Sequence, residues 1–195
     1  MVPDPLRTES VLVAFIDLAV GPLATVASMP QAELHANAGY LAELCALLDL
    51  PVLIARAPLP GTASNLLPEV ERRLPHAMHV HHTSNDSWEE PSFIDAVRTS
   101  GRRQLVLSGI ATDVGVALTA LSALRDGFQV AILTDVCGTI SERVEQTALM
   151  RLSQAGVVLT TWSSFAGEIQ RDYTKGVGPQ VLQIVRSALK LTGAL

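Results

Sequence analysis

Six strand-length apolar runs, at residues 11–16, 52–55, 78–81, 104–107, 130–133 and 157–161, constrain the fold of this chain more than any other feature. Each is bounded by turn residues. The gaps between them carry helical apolar periodicity, at residues 30–50, 67–74 (a shorter turn of helix), 91–100, 112–126 and 141–155. Two further helical patterns, 163–173 and 180–191, follow the last run and are separated by the breaker TKGVGP. Strands alternating with helices imply parallel β-α-β units. The helix ends are marked by Pro30 and Pro91 at first-turn positions, by Gly101, Gly127 and Gly156 as C-terminal stops, and by Ser141 as an N-cap.

Composition narrows the function classes. At 195 residues, 48% hydrophobic and 17% charged, the chain has the size and apolar content of one compact domain. The net charge of -5 and fourteen scattered basic residues give no electrostatic footprint for nucleic acid. Cys45 lies in an apolar helical pattern and Cys137 follows an apolar strand, which reads as two reduced thiols of a cytoplasmic protein. No export signal is recognisable and the apolar runs are of strand length, so no membrane partner is expected.

In a doubly wound parallel sheet, ligands gather beyond the carboxyl ends of the strands. The residues to examine are therefore Asp17, Arg56, His81 and His82, Gly109 to Gly115, and Asp135 to Gly138. Asp17 closes the run VLVAFID, where partial desolvation suits a carboxylate to acid/base work; the alternative is a carboxylate that caps the next turn. His79, His81 and His82 cluster in HVHHTSND. One of them can titrate beside Asp17, whereas a zinc site would need three or four ligands and has no cysteine pair nearby. Ala111, Thr112 and Asp113 form the turn before a helix, as an N-cap or, through backbone N–H groups, an oxyanion hole. Cys137 is the one thiol at a strand's carboxyl end, and it also reads as a small buried residue. Gly115, in the same turn, offers no side chain at all.

The segments VLVAFIDLAVG, NDSWEEPSF, GIATDVGVALTALSALRDGFQVAILTDVCGT and RLSQAGVVLTTW resemble, in the same order, those of isochorismatase-like cysteine hydrolases, and the resemblance spans nearly the whole chain. It implies a three-layer α/β/α sandwich around a six-stranded parallel sheet, with a crevice bounded by Asp17, His81, Trp88, Thr112 and Gly115. The family's machinery is an aspartate after the first strand, a Lys or Arg after the third and a cysteine at the head of the fourth-strand helix. Carried over by resemblance, these fall at Asp17, at His81 (counted back from Trp88) and at Gly115, so two of the three depart from the pattern. The Ala111 to Thr112 peptide would be the family's cis bond, aiming a backbone N–H into the oxyanion hole.

A glycine cannot attack a carbonyl, so covalent thiol catalysis at that position is excluded. The family's metal-binding members carry Asp and His after the second strand, where this chain has APLPGTASN, so neither a metal nor another cofactor is expected. Three readings remain. Asp17 could protonate a vinyl ether that water then cleaves; Asp17 and His81 could form a base and acid pair that activates water; or the protein could be an inactive member that binds a small molecule or joins a hetero-oligomer. Members of the family commonly assemble as homo-oligomers. The pocket walls would come from residues 58–67 and 83–90.

Overall fold

The structure, a computed structural model, describes residues 3–58 and 65–191. Its elements run β1 (Val11–Ile16), α1 (Val20–Leu23), α2 (Gln31–Leu47), β2 (Val52–Arg56), α3 (Pro68–Arg73), β3 (Met78–His81), α4 (Pro91–Thr99), β4 (Gln104–Ile110), α5 (Ala117–Arg125), β5 (Gln129–Gly138), α6 (Glu142–Ala155), β6 (Val158–Thr160), α7 (Trp162–Gln170) and α8 (Gly178–Leu191). All strands are parallel and ordered β3-β2-β1-β4-β5-β6. The expected three-layer α/β/α sandwich is what the residues build.

Alternation along the central strand divides the core. Val11, Val13 and Phe15 pack with α2, α7 and α8 on one face, while Leu12, Ala14 and Ile16 pack with α4, α5 and α6 on the other. Every residue of β1 is buried, because both faces are covered by helices. The chain winds outward from β1 through β2 to β3, then returns to the centre and winds the opposite way through β4. A crevice opens where that direction reverses, beyond the ends of β1 and β4.

Several elements differ from the pattern in the sequence: α1 is a four-residue helix the periodicity did not indicate, and β4 runs past Leu107 to Ile110. β5 runs to Gly138, well past Leu133: polar Thr134 and Asp135 interrupt the apolar run, yet Cys137 and Gly138 still pair with Gly109 and Ile110 after an irregularity between Leu107 and Gly109. The helix expected from residue 112 begins as a π-turn, Thr112–Val116, before α5 takes over. Pro30 is the cap residue before α2 rather than part of its first turn. Ser141 does cap α6, its Oγ accepting the Val144 N–H at 3.3 Å, and Gly156 ends that helix in a left-handed conformation at φ 100°. No helix among the described residues is long and apolar enough to cross a membrane.

Candidate active site

The end of β1 sets the first functional group. Strand alternation would send Asp17 to the same face as Phe15, but Asp17 adopts a left-handed backbone, φ 49°, which breaks the alternation. Its Oδ1 accepts the Ala57 N–H at 2.6 Å, and its own N–H donates to Ala55 O at 2.9 Å. The carboxylate is thereby fixed over the sheet's carboxyl edge, with Oδ2 left for other work.

That oxygen meets His82, and His81 lies elsewhere. The β2 to β3 ladder continues one residue past β3, His82 N–H donating to Arg56 O at 3.1 Å, so alternation persists from the buried Val80 to the buried His82. His81 falls on the opposite parity and is exposed, as is His79. The histidine beside Asp17 is thus His82, one residue after the expected His81. His82 Nε2 stands 3.2 Å from Asp17 Oδ2, an ion-pair contact. The other ring nitrogen, Nδ1, lies 2.8 Å from Ser84 O. A carbonyl only accepts, so Nδ1 carries a proton, and the tautomer of the neutral ring is fixed with its Nε2 lone pair facing Asp17. Protonation of the ring at Nε2 turns this contact into an ion pair with the Asp17 carboxylate. Burial pushes the His82 imidazole down, but the Asp17 carboxylate, the Ser84 carbonyl and the Glu90 carboxylate outweigh it, and the ring ends above its ordinary value.

Gly115 lies inside the π-turn and faces this pair. A Cβ built there would lie 3.3 Å from Ile16 Cγ2 and 3.9 Å from both Asp17 Oδ2 and Asn85 O. The position is therefore aimed at Asp17, and a side chain there would need the Ile16 methyl to give by a few tenths of an ångström. Asn85 belongs to a loop pinned on α5: Asp86 Oδ2 accepts from Ser122 Oγ, and Ser87 N–H donates to Thr119 Oγ1 at 3.1 Å. Of the expected wall at residues 83–90, Asn85 comes nearest to position 115. Of the other expected wall, residues 59–64 lie outside the described residues.

Trp88 does not line the crevice. Its ring packs edge-on against Phe93 and Phe128, with centroids 6.0 and 5.2 Å away, and its Nε1 donates to Asp126 Oδ2 at 2.9 Å. It anchors the loop that carries Asn85. Thr112 is fully buried and its hydroxyl faces Glu145 on α6. The cis peptide joins Ile110 to Ala111, one bond earlier than expected, and the Ala111 carbonyl accepts N–H bonds from Val114 and Val116, both at 3.2 Å. Burial pushes both the Cys45 and the Cys137 thiols up, so neither supplies a thiolate near neutral pH. Asp135 serves the other face, its Oδ1 accepting the Trp162 N–H at 2.9 Å. Among the described residues no group of three or more His, Cys, Asp or Glu is arranged to hold a metal ion.

The chain is 32% identical over 173 residues to "Probable hydrolase YcaC" of Escherichia coli (strain K12), covering 88% of this chain and 83% of that protein. The crystal structure of the E. coli YcaC gene product, an octameric hydrolase of unknown specificity, superimposes with a TM-score of 0.89 at 28% identity, over 100% of this chain and 98% of that one. YcaC from Pseudomonas aeruginosa, solved with hexane-2,5-diol and covalent acrylamide, gives a TM-score of 0.90 at 28% identity with the same coverage. Residues 12–164 match the isochorismatase domain, and the chain belongs to that family.

Proposed function

We propose that this protein is a small-molecule hydrolase that activates water directly, using Asp17 and His82 as a base and acid pair and forming no covalent intermediate at position 115. The observation that carries this reading is the 3.2 Å contact of Asp17 Oδ2 with His82 Nε2, in a place where a group at position 115 would lie 3.9 Å from the same Oδ2. In the charge-separated state the carboxylate takes a proton from water as the water oxygen bonds to the scissile carbon. The imidazolium gives its Nε2 proton to the departing oxygen or nitrogen as that bond breaks. The proton taken by Asp17 then passes to Nε2 and restores the pair. The backbone at the start of the π-turn, from Ala111 to Thr112, supplies N–H groups for an oxyanion in this mechanism. Family membership, with YcaC relatives described as hydrolases, supports the reaction class.

The test is a screen of small esters, amides and vinyl ethers. For any substrate found, Asp17→Asn should lower kcat by about 10²-fold or more. Unchanged turnover in that variant rejects the mechanism. The acrylamide bound covalently to the P. aeruginosa relative suggests a second check. Gly115→Cys should gain one acrylamide adduct by mass spectrometry near neutral pH, while the parent protein, whose two thiols are buried, stays unmodified. Adducts on the parent protein at a matching rate would contradict the assignment of position 115. The octameric E. coli relative also favours a homo-oligomer here.

A further inference from the structure

A cavity of about 580 Å³ opens at the amino edge of the sheet, the end away from the crevice, between the last turns of α2 and α3 and the starts of β2 and β3. Small-molecule sites usually measure about 300–1,000 Å³. Leu50, Leu74 and Met78 give the cavity an apolar lining, and Met78 is 37% exposed although it stands on a strand. An apolar group that covers this surface removes it from water, which favours binding.

Two arginines decide what else a ligand must carry. Arg73, the last residue of α3, has Nη2 3.3 Å from Glu43 Oε2, while its Nη1 is closed to water and has no hydrogen-bond partner. The Glu43 side chain is 45% exposed, so that pair is weak and exchanges readily for another carboxylate. Arg102, just before β4, donates from Nη1 to Thr8 O at 2.8 Å, and among the described residues no carboxylate stands within ion-pair distance of it. Besides these arginines the lining holds one acid, Asp49, and one histidine, His76. The carbonyl ends of α2 and α3 add a diffuse negative charge, at most about half a unit each; a guanidinium sets against it a full charge and directed N–H donors.

We propose that this cavity binds a small amphipathic carboxylate, its apolar body against Leu50, Leu74 and Met78 and its carboxylate on the guanidinium groups of Arg73 and Arg102. A guanidinium meets a carboxylate with two donors on two oxygens, and Arg73 exchanges Glu43 for the ligand, which brings its unpartnered Nη1 into use. The site is separate from the crevice: β2 and β3 begin at this cavity, and beyond their far ends Arg56 O accepts the His82 N–H and the Ala57 N–H reaches Asp17. Binding here requires no hydrolysis and does not rest on the catalytic reading.

The experiment titrates the full-length protein with sodium hexanoate by isothermal calorimetry at constant ionic strength. Acetate supplies the charge without the apolar body, and hexan-1-ol the body without the charge. Hexanoate should saturate a single site per chain, with acetate and hexan-1-ol each binding about tenfold more weakly or worse. Arg73→Gln and Arg102→Gln should each weaken hexanoate about tenfold, whereas Asp17→Asn should leave its affinity within about twofold. Met78→Asp, at a partly exposed position, sets a carboxylate against that of the ligand and should weaken binding by a similar factor; it decides the matter if an arginine variant fails to fold. The proposal is overturned if hexanoate does not saturate, if acetate or hexan-1-ol binds equally well, or if the arginine and Met78 variants keep the parent affinity. Loss of binding in Asp17→Asn would place hexanoate in the crevice and overturn it as well.

Discussion

His81 and His82 are one residue apart and face opposite sides of the sheet, and the proposed acid/base chemistry depends on that difference. His82 reaches Asp17 because it shares the parity of the buried Val80, while His81 points to solvent. Replacing His81 by Ala should leave turnover within about twofold, and replacing His82 by Gln should cost about 10²-fold or more, as measured by kcat on one substrate; the reverse ranking would refute the assignment. The stability of the pair has its own pH signature. Because the folded imidazole lies above its ordinary value of 6.5, its contribution is complete below that pH and is lost as pH rises through the raised folded value. The Tm gap between the parent protein and His82→Gln should therefore narrow above neutral pH, and a gap that widens would contradict the ion pair. The sequence made the histidine cluster and Asp17 legible as candidates. It did not make the partner legible, because a count back from Trp88 measures distance along the chain, whereas contact is decided by which face of the sheet each residue takes.

Among the elements, the β1 and β4 pair and the π-turn shape the crevice. Gly109 stands at φ 141°, and a Cβ there would fall 1.9 Å from Ile16 O, so the two strands can approach only around a glycine. Gly115, by contrast, has a backbone conformation open to any residue, and its tightest contact with an added Cβ would be 3.3 Å. Urea denaturation should show Gly109→Ala losing about 3 kcal/mol or more, with Gly115→Ala within about 1 kcal/mol of the parent protein. Equal losses would mean that β1 and β4 give way more easily than their backbone contact implies. The apolar periodicity from residue 112 was legible as a helix, but its first turn winds as a π-turn packed against α6, a contact that periodicity along the chain does not encode. The full length of β5 was hidden for a related reason: its last residues are held by ladder bonds to β4 rather than by their own apolar pattern.

On the scale of the whole molecule, outward winding from β1 in both directions leaves one crevice at the centre of the sheet's carboxyl edge, and Asp17, His82 and Gly115 come to it from three separate segments. Ile140 and Met150 are 63% and 61% exposed, apolar surface that assembly could cover. Light scattering on the purified protein should find a homo-oligomer, as in the octameric E. coli relative, and a monomer at micromolar concentration would overturn that expectation. What the sequence by itself determined was the order of strands and helices along the chain, the parallel three-layer fold and Asp17 at the end of the first strand, because these depend on local periodicity and on which residue ends each strand. Only the tertiary structure decided that His82 stands beside Asp17, that Trp88 anchors a loop in the core, and that the helix from residue 112 begins as a π-turn against α6. Those three outcomes depend on which faces and edges distant segments present to one another, and that is settled only when the sheet and its helices have packed.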